Sequence, residues 1–267
     1  MTKKYLAIAL IMALAVLTGC TQKPETDLSK IYIFDVGQGS AAFLQTPTTN
    51  MLIDTGDDER IIGYLNNLSI KKINLLMLTH PDKDHIGEAQ NILENFEVDN
   101  VVWNGQASDT QTFQNLLSYI KENNITMNVA NSSSKEFSFK VLNPQPDFYS
   151  EDNDNSIVSF VSFGNIDMLI GGDCSWRCES GLNIPNKAEI YIVNHHGSNT
   201  SSTQDFLNRL SPNLCIVSAG VGNQYGHPSN ESLSRMESAG CQIFNTFNGS
   251  LVITTDGQEF ALNRGSF

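Results

Sequence analysis

The sequence predicts a layered α/β domain in which helices cover sheets. Short apolar runs of strand length alternate with amphipathic runs of helix length along the whole chain. Hairpin-like strand pairs stand near both ends. No linker long enough to divide the chain, no low-complexity segment and no short-period repeat interrupts the pattern.

Residues 31–36, 41–46 and 51–54 read as three consecutive strands. The turns between them carry Gly37-Gln38-Gly39 and Pro47-Thr48-Thr49-Asn50, residues that turns favour. A helix follows over 57–68. Residues 73–79 form a largely apolar run that stops abruptly at His80, as a buried strand does. A helix is predicted over 86–96, a strand over 100–103 and a helix over 109–122. Strands are expected over 137–142, 156–162, 166–170 and 188–193, then a helix over 202–210, a strand over 214–218 and a helix over 229–238. Residues 242–245, 250–254 and 259–263 close the chain as strands.

Residues 1–19 read as a secretory signal. Lys3 and Lys4 form a basic start, and residues 5–17 are nearly all apolar, a run shorter than the ~20 residues a membrane span needs. The ending Leu17-Thr18-Gly19-Cys20 resembles the lipobox of bacterial lipoproteins. That implies cleavage before Cys20, a lipid on its sulfur and anchorage to the membrane outside the cytoplasm. Residues 20–30, polar and containing Pro24, read as a tether, and 31–267 as one domain. Without the signal, 14 basic residues (16 less Lys3 and Lys4) face 29 acidic ones, a balance of −15. No basic block marks a nucleic-acid footprint, so charge does not favour a nucleic-acid partner. Four further cysteines remain, and an exported chain permits disulfides. Cys174 and Cys178 read as bridged or simply packed, Cys215 and Cys241 as core residues at the start of apolar runs, and no pairing is assigned. A zinc site of all four lacks matched ligand spacing.

The five histidines, His80, His85, His195, His196 and His227, each stand at a strand end or in a loop beside Gly, Pro or Asp. After the strand over 73–79, six residues supply His80, Asp82, Asp84 and His85. Two imidazoles and two carboxylates are the nitrogen and oxygen donors that suit Zn²⁺ or Mn²⁺. A loop at a strand end can turn several side chains toward one point. Gly171-Gly172-Asp173 ends another strand, where glycines let the backbone pass close to an ion and an aspartate could bridge two. His195-His196 ends a third, and Tyr225-Gly226-His227-Pro228 lies in a loop after a fourth.

Val36-Gly37-Gln38-Gly39-Ser40, Leu52-Ile53-Asp54-Thr55-Gly56 and Thr79-His80-Pro81-Asp82-Lys83-Asp84-His85-Ile86-Gly87 resemble the metallo-β-lactamase superfamily, and within it the hydrolase domain of ComEC-type competence proteins. Asn155-Ser156-Ile157-Val158, Gly172-Asp173, His195-His196-Gly197-Ser198 and Tyr225-Gly226-His227-Pro228 recur in that branch's order. The resemblance implies a four-layer αββα metallo-β-lactamase-like sandwich with two divalent metal ions at one edge. It implies that His80 and Asp82 ligate one ion and Asp84 and His85 the other, that Asp173 bridges them and that His227 closes the set. His195 and His196 fall where the branch places a phosphate-facing or ligand histidine and are expected to act in catalysis; Asp54 matches a structural aspartate beside the site. Three departures stand out. Ser40 replaces an acidic residue, Glu88 replaces a glycine, and no histidine lies between His85 and His195, leaving Asp154 or Asn155 as the nearest substitutes.

These readings combine into an exported, membrane-anchored hydrolase that attacks phosphodiester bonds with a metal-activated water. The substrate is expected to be a nucleic acid or an envelope phosphodiester. The alternative from another class is a non-catalytic ligand-binding lipoprotein on the same fold; lactam or ester hydrolysis ranks below both.

Overall fold

The computed structural model describes residues 28–130, 139–144, 149–265 and 267. The signal, Cys20 and most of the tether, together with the start of the strand expected from 137, lie outside the described residues.

In chain order the strands are β1 (Ser29–Ile33), β2 (Ala42–Gln45), β3 (Asn50–Ile53), β4 (Lys72–Ile73), β5 (Leu75–Leu78), β6 (Glu97–Val98), β7 (Val101–Trp103), β8 (Met127–Val129), β9 (Phe139–Asn143), β10 (Val158–Phe163), β11 (Ile166–Ile170), β12 (Ile190–Ile192), β13 (Leu214–Val217), β14 (Gln242–Asn245), β15 (Leu251–Thr255) and β16 (Phe260–Arg264). The helices are α1 (Arg60–Asn67), α2 (Lys83–Ile86), α3 (Ala89–Asn95), α4 (Gln111–Glu122), α5 (Trp176–Gly181), α6 (Gln204–Leu210) and α7 (Asn230–Ser238).

One sheet runs β16-β15-β1-β2-β3-β5-β7-β8 and the other β14-β13-β12-β11-β10-β9, with β4-β6 a small separate pair. Each large sheet contains the same sub-pattern. Three antiparallel strands, β1-β2-β3 or β9-β10-β11, lead into three parallel ones, β5-β7-β8 or β12-β13-β14.

Side-chain alternation sorts the layers. In β11, Ile166, Met168 and Ile170 face the other sheet, while Leu169 faces the helix side. In β1, Ile31 and Ile33 face inward and Tyr32 outward. The two inner faces make one apolar core containing Leu44, Met51 and Ile53 from the first sheet and Val161, Ile192 and Ile216 from the second. Residues of α1, α3 and α4 pack on the outer face of the first sheet, and residues of α5, α6 and α7 on that of the second. The result is a four-layer αββα sandwich, as expected.

Several boundaries differ from the sequence reading. The strand over 73–79 divides into β4 and β5 at Asn74, whose side chain accepts from Asn50 N–H (2.9 Å). The helix expected over 86–96 is α3, and the ligand run read as a loop ends in the short α2. β8 and α5 were not expected. α5 (Trp-Arg-Cys-Glu-Ser-Gly) has no apolar stripe of helical period; it is held by its tertiary contacts. Cys215 and Cys241 are core residues as read, and they are also bonded to each other, as are Cys174 and Cys178.

Candidate metal centre

The carboxyl ends of β3, β5, β11, β12 and β13 open at one edge between the two sheets. Loops that leave strands at such ends converge, which is where open α/β sheets bind ligands. β3 leads into Asp54, β5 into Thr79 and His80, β11 into Asp173, β12 into the His195-His196 turn and β13 into Ser218.

The loop after β5 is braced from behind. Ser40 N–H donates to the Asp84 carbonyl (3.0 Å) and Thr55 N–H to that of His85 (2.7 Å). A side chain at Gly39, where φ is 146°, would meet the Asp84 carbonyl at 2.5 Å, so the close approach requires glycine. Ser40, the first departure from the family pattern, thus still braces the loop through its backbone. Glu88, the second, sits at the start of α3 and accepts from Asn91 Nδ2 (2.7 Å) on the exposed face, away from the centre.

Three histidines present the same atom to one point, and each is aimed by a partner on its other nitrogen. His85 Nδ1–H donates to Asp54 Oδ2 (2.7 Å). His196 Nδ1–H donates to the Ser218 carbonyl (2.8 Å), which can only accept. His80 Nδ1 lies 3.2 Å from Thr79 Oγ1, whose own proton goes to Asp54 Oδ2 (2.7 Å), so His80 is again the donor. In every case the neutral ring keeps its lone pair on Nε2. This arrangement fixes tautomer and direction for ligation.

Those lone pairs surround Asp173. Its Oδ1 lies 3.0 Å from His85 Nε2 and 3.5 Å from His196 Nε2; its Oδ2 lies 3.8 Å from His80 Nε2 and 3.6 Å from His195 Nε2. Asp84 Oδ2 adds a contact to His196 Nε2 at 3.3 Å, and Asp82 Oδ2 lies 3.6 Å from His80 Nε2. Two sets of donor atoms are compact enough to hold an ion, His80-His85-Asp173 and Asp84-His85-His196. His80 Nε2 and Asp173 Oδ1 are buried with no hydrogen-bond partner, a costly state that an ion would relieve. Imidazole and carboxylate are the donor types for Zn²⁺ or Mn²⁺.

The electrostatics agree with a cation-seeking site. Burial pushes the Asp173 carboxyl up, but the charges of His85 and His196 outweigh it and hold it well below the usual range. Burial also opposes ionisation of Asp84, yet the His196 hydrogen bond and the His85 and His196 charges hold its pKa at about 2. Burial lowers His85 and His196; Asp173, with Asp54 or Asp84, more than reverses this and raises both. Protons on these rings thus stand where a dication's charge would be, and ion binding must release them.

His196 Nε2 therefore belongs to one of the two groups that could hold an ion. His227 belongs to neither set. Its ring lies at the rim, 5.6 Å from that of His195 and 6.4 Å from that of His196, and stacks on the exposed Tyr225. His195 meets Asp173 through Nε2 but belongs to neither set, and burial lowers its pKa, as burial and the neighbouring histidines lower that of His227. Neither substitute for the absent middle histidine reaches the centre. Asn155 Nδ2 and Oδ1 bond the Tyr149 backbone, and Asp154 Oδ1 accepts from Ser175 N–H. Asn153 lies there instead, its Nδ2 3.5 Å from both Asp173 Oδ2 and His195 Nε2. An amide leaves little trace in sequence, and only the tight turn over Asp152–Asn155 turns it inward. The histidines and aspartates open on a cleft of about 170 Å³.

Residues 34–107 match the metallo-beta-lactamase superfamily model. The likeness to that superfamily is carried by these residues, which hold the His80–His85 run. It is 28% identical over 246 residues to ComE operon protein 3 of Bacillus subtilis, covering 81% of this chain and 32% of that protein. It is 28% identical over 251 residues to competence protein ComA of Neisseria gonorrhoeae, covering 91% of this chain and 33% of that one. The chain thus spans about a third of the length of these curated relatives. Among solved structures it is similar in fold to Igni18, a metallo hydrolase of Ignicoccus hospitalis (TM-score 0.56, 13% identity, 89% of this chain and 100% of that one), and to the metallo-beta-lactamase fold protein YhfI of Bacillus subtilis (TM-score 0.55, 12% identity, 86% and 100%).

Proposed function

We propose that this chain is a metal-dependent phosphodiesterase with two divalent ions, Zn²⁺ above Mn²⁺, exported and held at the membrane through Cys20. The observation that carries the catalytic part is the convergence of three ring-nitrogen lone pairs on one buried carboxylate at the mouth of a cleft. His80, His85 and Asp173 would hold one ion and Asp84, His85 and His196 the other, with Asp82 beside His80. Bound dications supply Lewis acidity and bring the pKa of water toward ~7. Asp54, Thr79 and Ser218 keep the three rings aimed. His195 and His227, whose pKa values burial lowers, stand on the substrate side, set to hydrogen-bond the phosphoryl oxygens and to take a proton from the attacking water and hand it on to the leaving group.

Charge narrows the substrate. Among the described residues no Lys or Arg lines the cleft, and Lys83 in the adjoining hollow is taken up by Asp57 (2.7 Å). A chain of phosphates needs a track of cations, so a compact phosphodiester suits this cleft better than a polynucleotide. The relatives ComE operon protein 3 and competence protein ComA are about three times as long as this chain, so nothing about the substrate is taken from them. Export is supported by the signal-like residues 1–19 and by two disulfides, which persist in oxidising compartments. Among the described residues, no helix is long and apolar enough to cross a membrane.

The test is hydrolysis of bis(p-nitrophenyl) phosphate by residues 21–267, with metal content measured alongside. The expected result is bound zinc or manganese and turnover that disappears in Asp173→Asn. A well-folded protein that takes up neither metal, or takes it up without turnover on any phosphodiester, would sink the proposal. In cells, Cys20→Ser should move the protein from the membrane to the soluble fraction.

A further inference from the structure

The His195-His196 turn is an expensive piece of backbone. Both residues have positive φ, 49° and 53°, and Ser202, at the other end of the same loop, has φ of 53°. Residues with a side chain take this conformation only where the surroundings impose it. The loop also places His196 Nε2 3.3 Å from Asp84 Oδ2 and 3.5 Å from Asp173 Oδ1.

One buried carboxylate, absent from the catalytic scheme above, reaches both ends of that loop. Glu179 on α5 is fully buried. Its Oε1 accepts from Asn194 Nδ2 (3.1 Å) and Ser202 N–H (2.5 Å), and its Oε2 from Thr203 N–H (3.0 Å) and Thr203 Oγ1 (2.9 Å). Asn194 directly precedes His195, and Ser202 and Thr203 close the loop. The other side of the loop is clamped through its carbonyls by Arg235, to Ser201 (2.7 Å) and Ser202 (2.8 Å). One residue earlier, α5 is also tied to the other ligand loop. Cys178, the residue before Glu179, is bonded to Cys174, the residue after Asp173. A single short helix therefore spans from the Asp173 loop to the His196 loop.

We infer that Glu179 is a positioning residue for the metal centre, setting His196 against Asp173 by bracing the turn that carries it. This rests on the metal-centre reading above. The partners explain why a carboxylate is needed. Ser202 N–H and Thr203 N–H are backbone donors that cannot reverse, one on each oxygen. Glutamine would set its amide N–H₂ against one of them. Removing such an outer partner of a ligand loop weakens metal binding by about 10–100-fold.

The experiment is metal affinity, measured by competition between the protein and a chromophoric chelator for Zn²⁺ and for Mn²⁺. Wild type is compared with Glu179→Gln, Glu179→Ala and the milder Asn194→Ala, with thermal unfolding followed in parallel. Leu116→Ala, on α4 in the opposite outer layer, is the control for stability loss alone. The expected result is at least roughly tenfold weaker affinity in both Glu179 variants, a smaller loss in Asn194→Ala, and unchanged affinity in Leu116→Ala at comparable destabilisation. Should the Glu179 variants prove too unstable to isolate, Asn194→Ala decides alone, and affinity equal to wild type overturns the inference. So does affinity in the Glu179 variants that tracks stability no differently from Leu116→Ala. A wild type that binds neither metal fails earlier and takes the metal-centre reading with it.

Discussion

Replacing Asp54 by asparagine changes one oxygen to nitrogen and should disarm His85 without touching a ligand. Asp54 Oδ1 accepts from Thr79 N–H (2.8 Å), which fixes the amide oxygen of the variant on that side. The amide nitrogen then faces Thr79 Oγ1 and His85 Nδ1, each 2.7 Å away. The hydroxyl can rotate to accept. The ring cannot keep Nδ1–H against another donor, so it takes the tautomer with its proton on Nε2, where the metal lone pair was. Restoring the ligating tautomer costs the hydrogen bond and leaves two donors opposed, about 2 kcal/mol in total. That is roughly thirty-fold in metal affinity, within the range for outer partners of ligating histidines. Chelator competition measures the affinity, and histidine ¹⁵N shifts report the tautomer. Asp54→Asn binding zinc within about threefold of wild type, or retaining Nδ1–H on His85, would refute the reasoning.

Other consequences separate the roles of the remaining residues. His196→Ala should lose metal and turnover together, whereas His227→Ala should keep metal and lose turnover by about 10²-fold or more; metal analysis and kinetics on the same preparations distinguish them. In chelator, stability should be greatest between about pH 4 and 6.5. Asp84 and Asp173 have depressed pKa values, so their contribution is present above about 3.8 and lost as pH falls toward 2. His85 and His196 have raised values, so theirs is complete below about 6.5 and lost as pH rises through the folded values. Thermal melts across pH check this, and melting temperatures that climb from pH 6.5 to 8 without metal would contradict it. Replacing Cys215 and Cys241 by serine opens a loop of sequence separation 26 and should cost about 3.5 kcal/mol by chain entropy, read by urea unfolding.

The layered α/β class and most of its strands were legible in the residues, because alternation and apolar runs report local burial directly. Elements held by distant partners were not. α5 has no apolar period, and its place depends on a disulfide, on Glu179 and on Arg209, whose guanidinium caps the carbonyls of Glu179 and Leu182. β8 is a short edge strand, which burial hardly marks.

The site divides the same way. The donor chemistry is readable along the chain: two imidazoles and two carboxylates in six residues after a strand, an aspartate after glycines, and paired histidines at another strand end. Donor type and loop position are local properties, and local sequence carries them. Which donors share a point is set by packing across the two sheets. That packing put His196 in a ligand set and His227 at the rim, and brought Asn153 inward where Asp154 and Asn155 were expected. Those assignments depend on side-chain directions, which are set by the positive φ values at His195 and His196 and by hydrogen bonds from residues up to 31 positions away, such as Asp54 to His85. The apposition of two sheets brings such residues together, and no spacing along the chain records it.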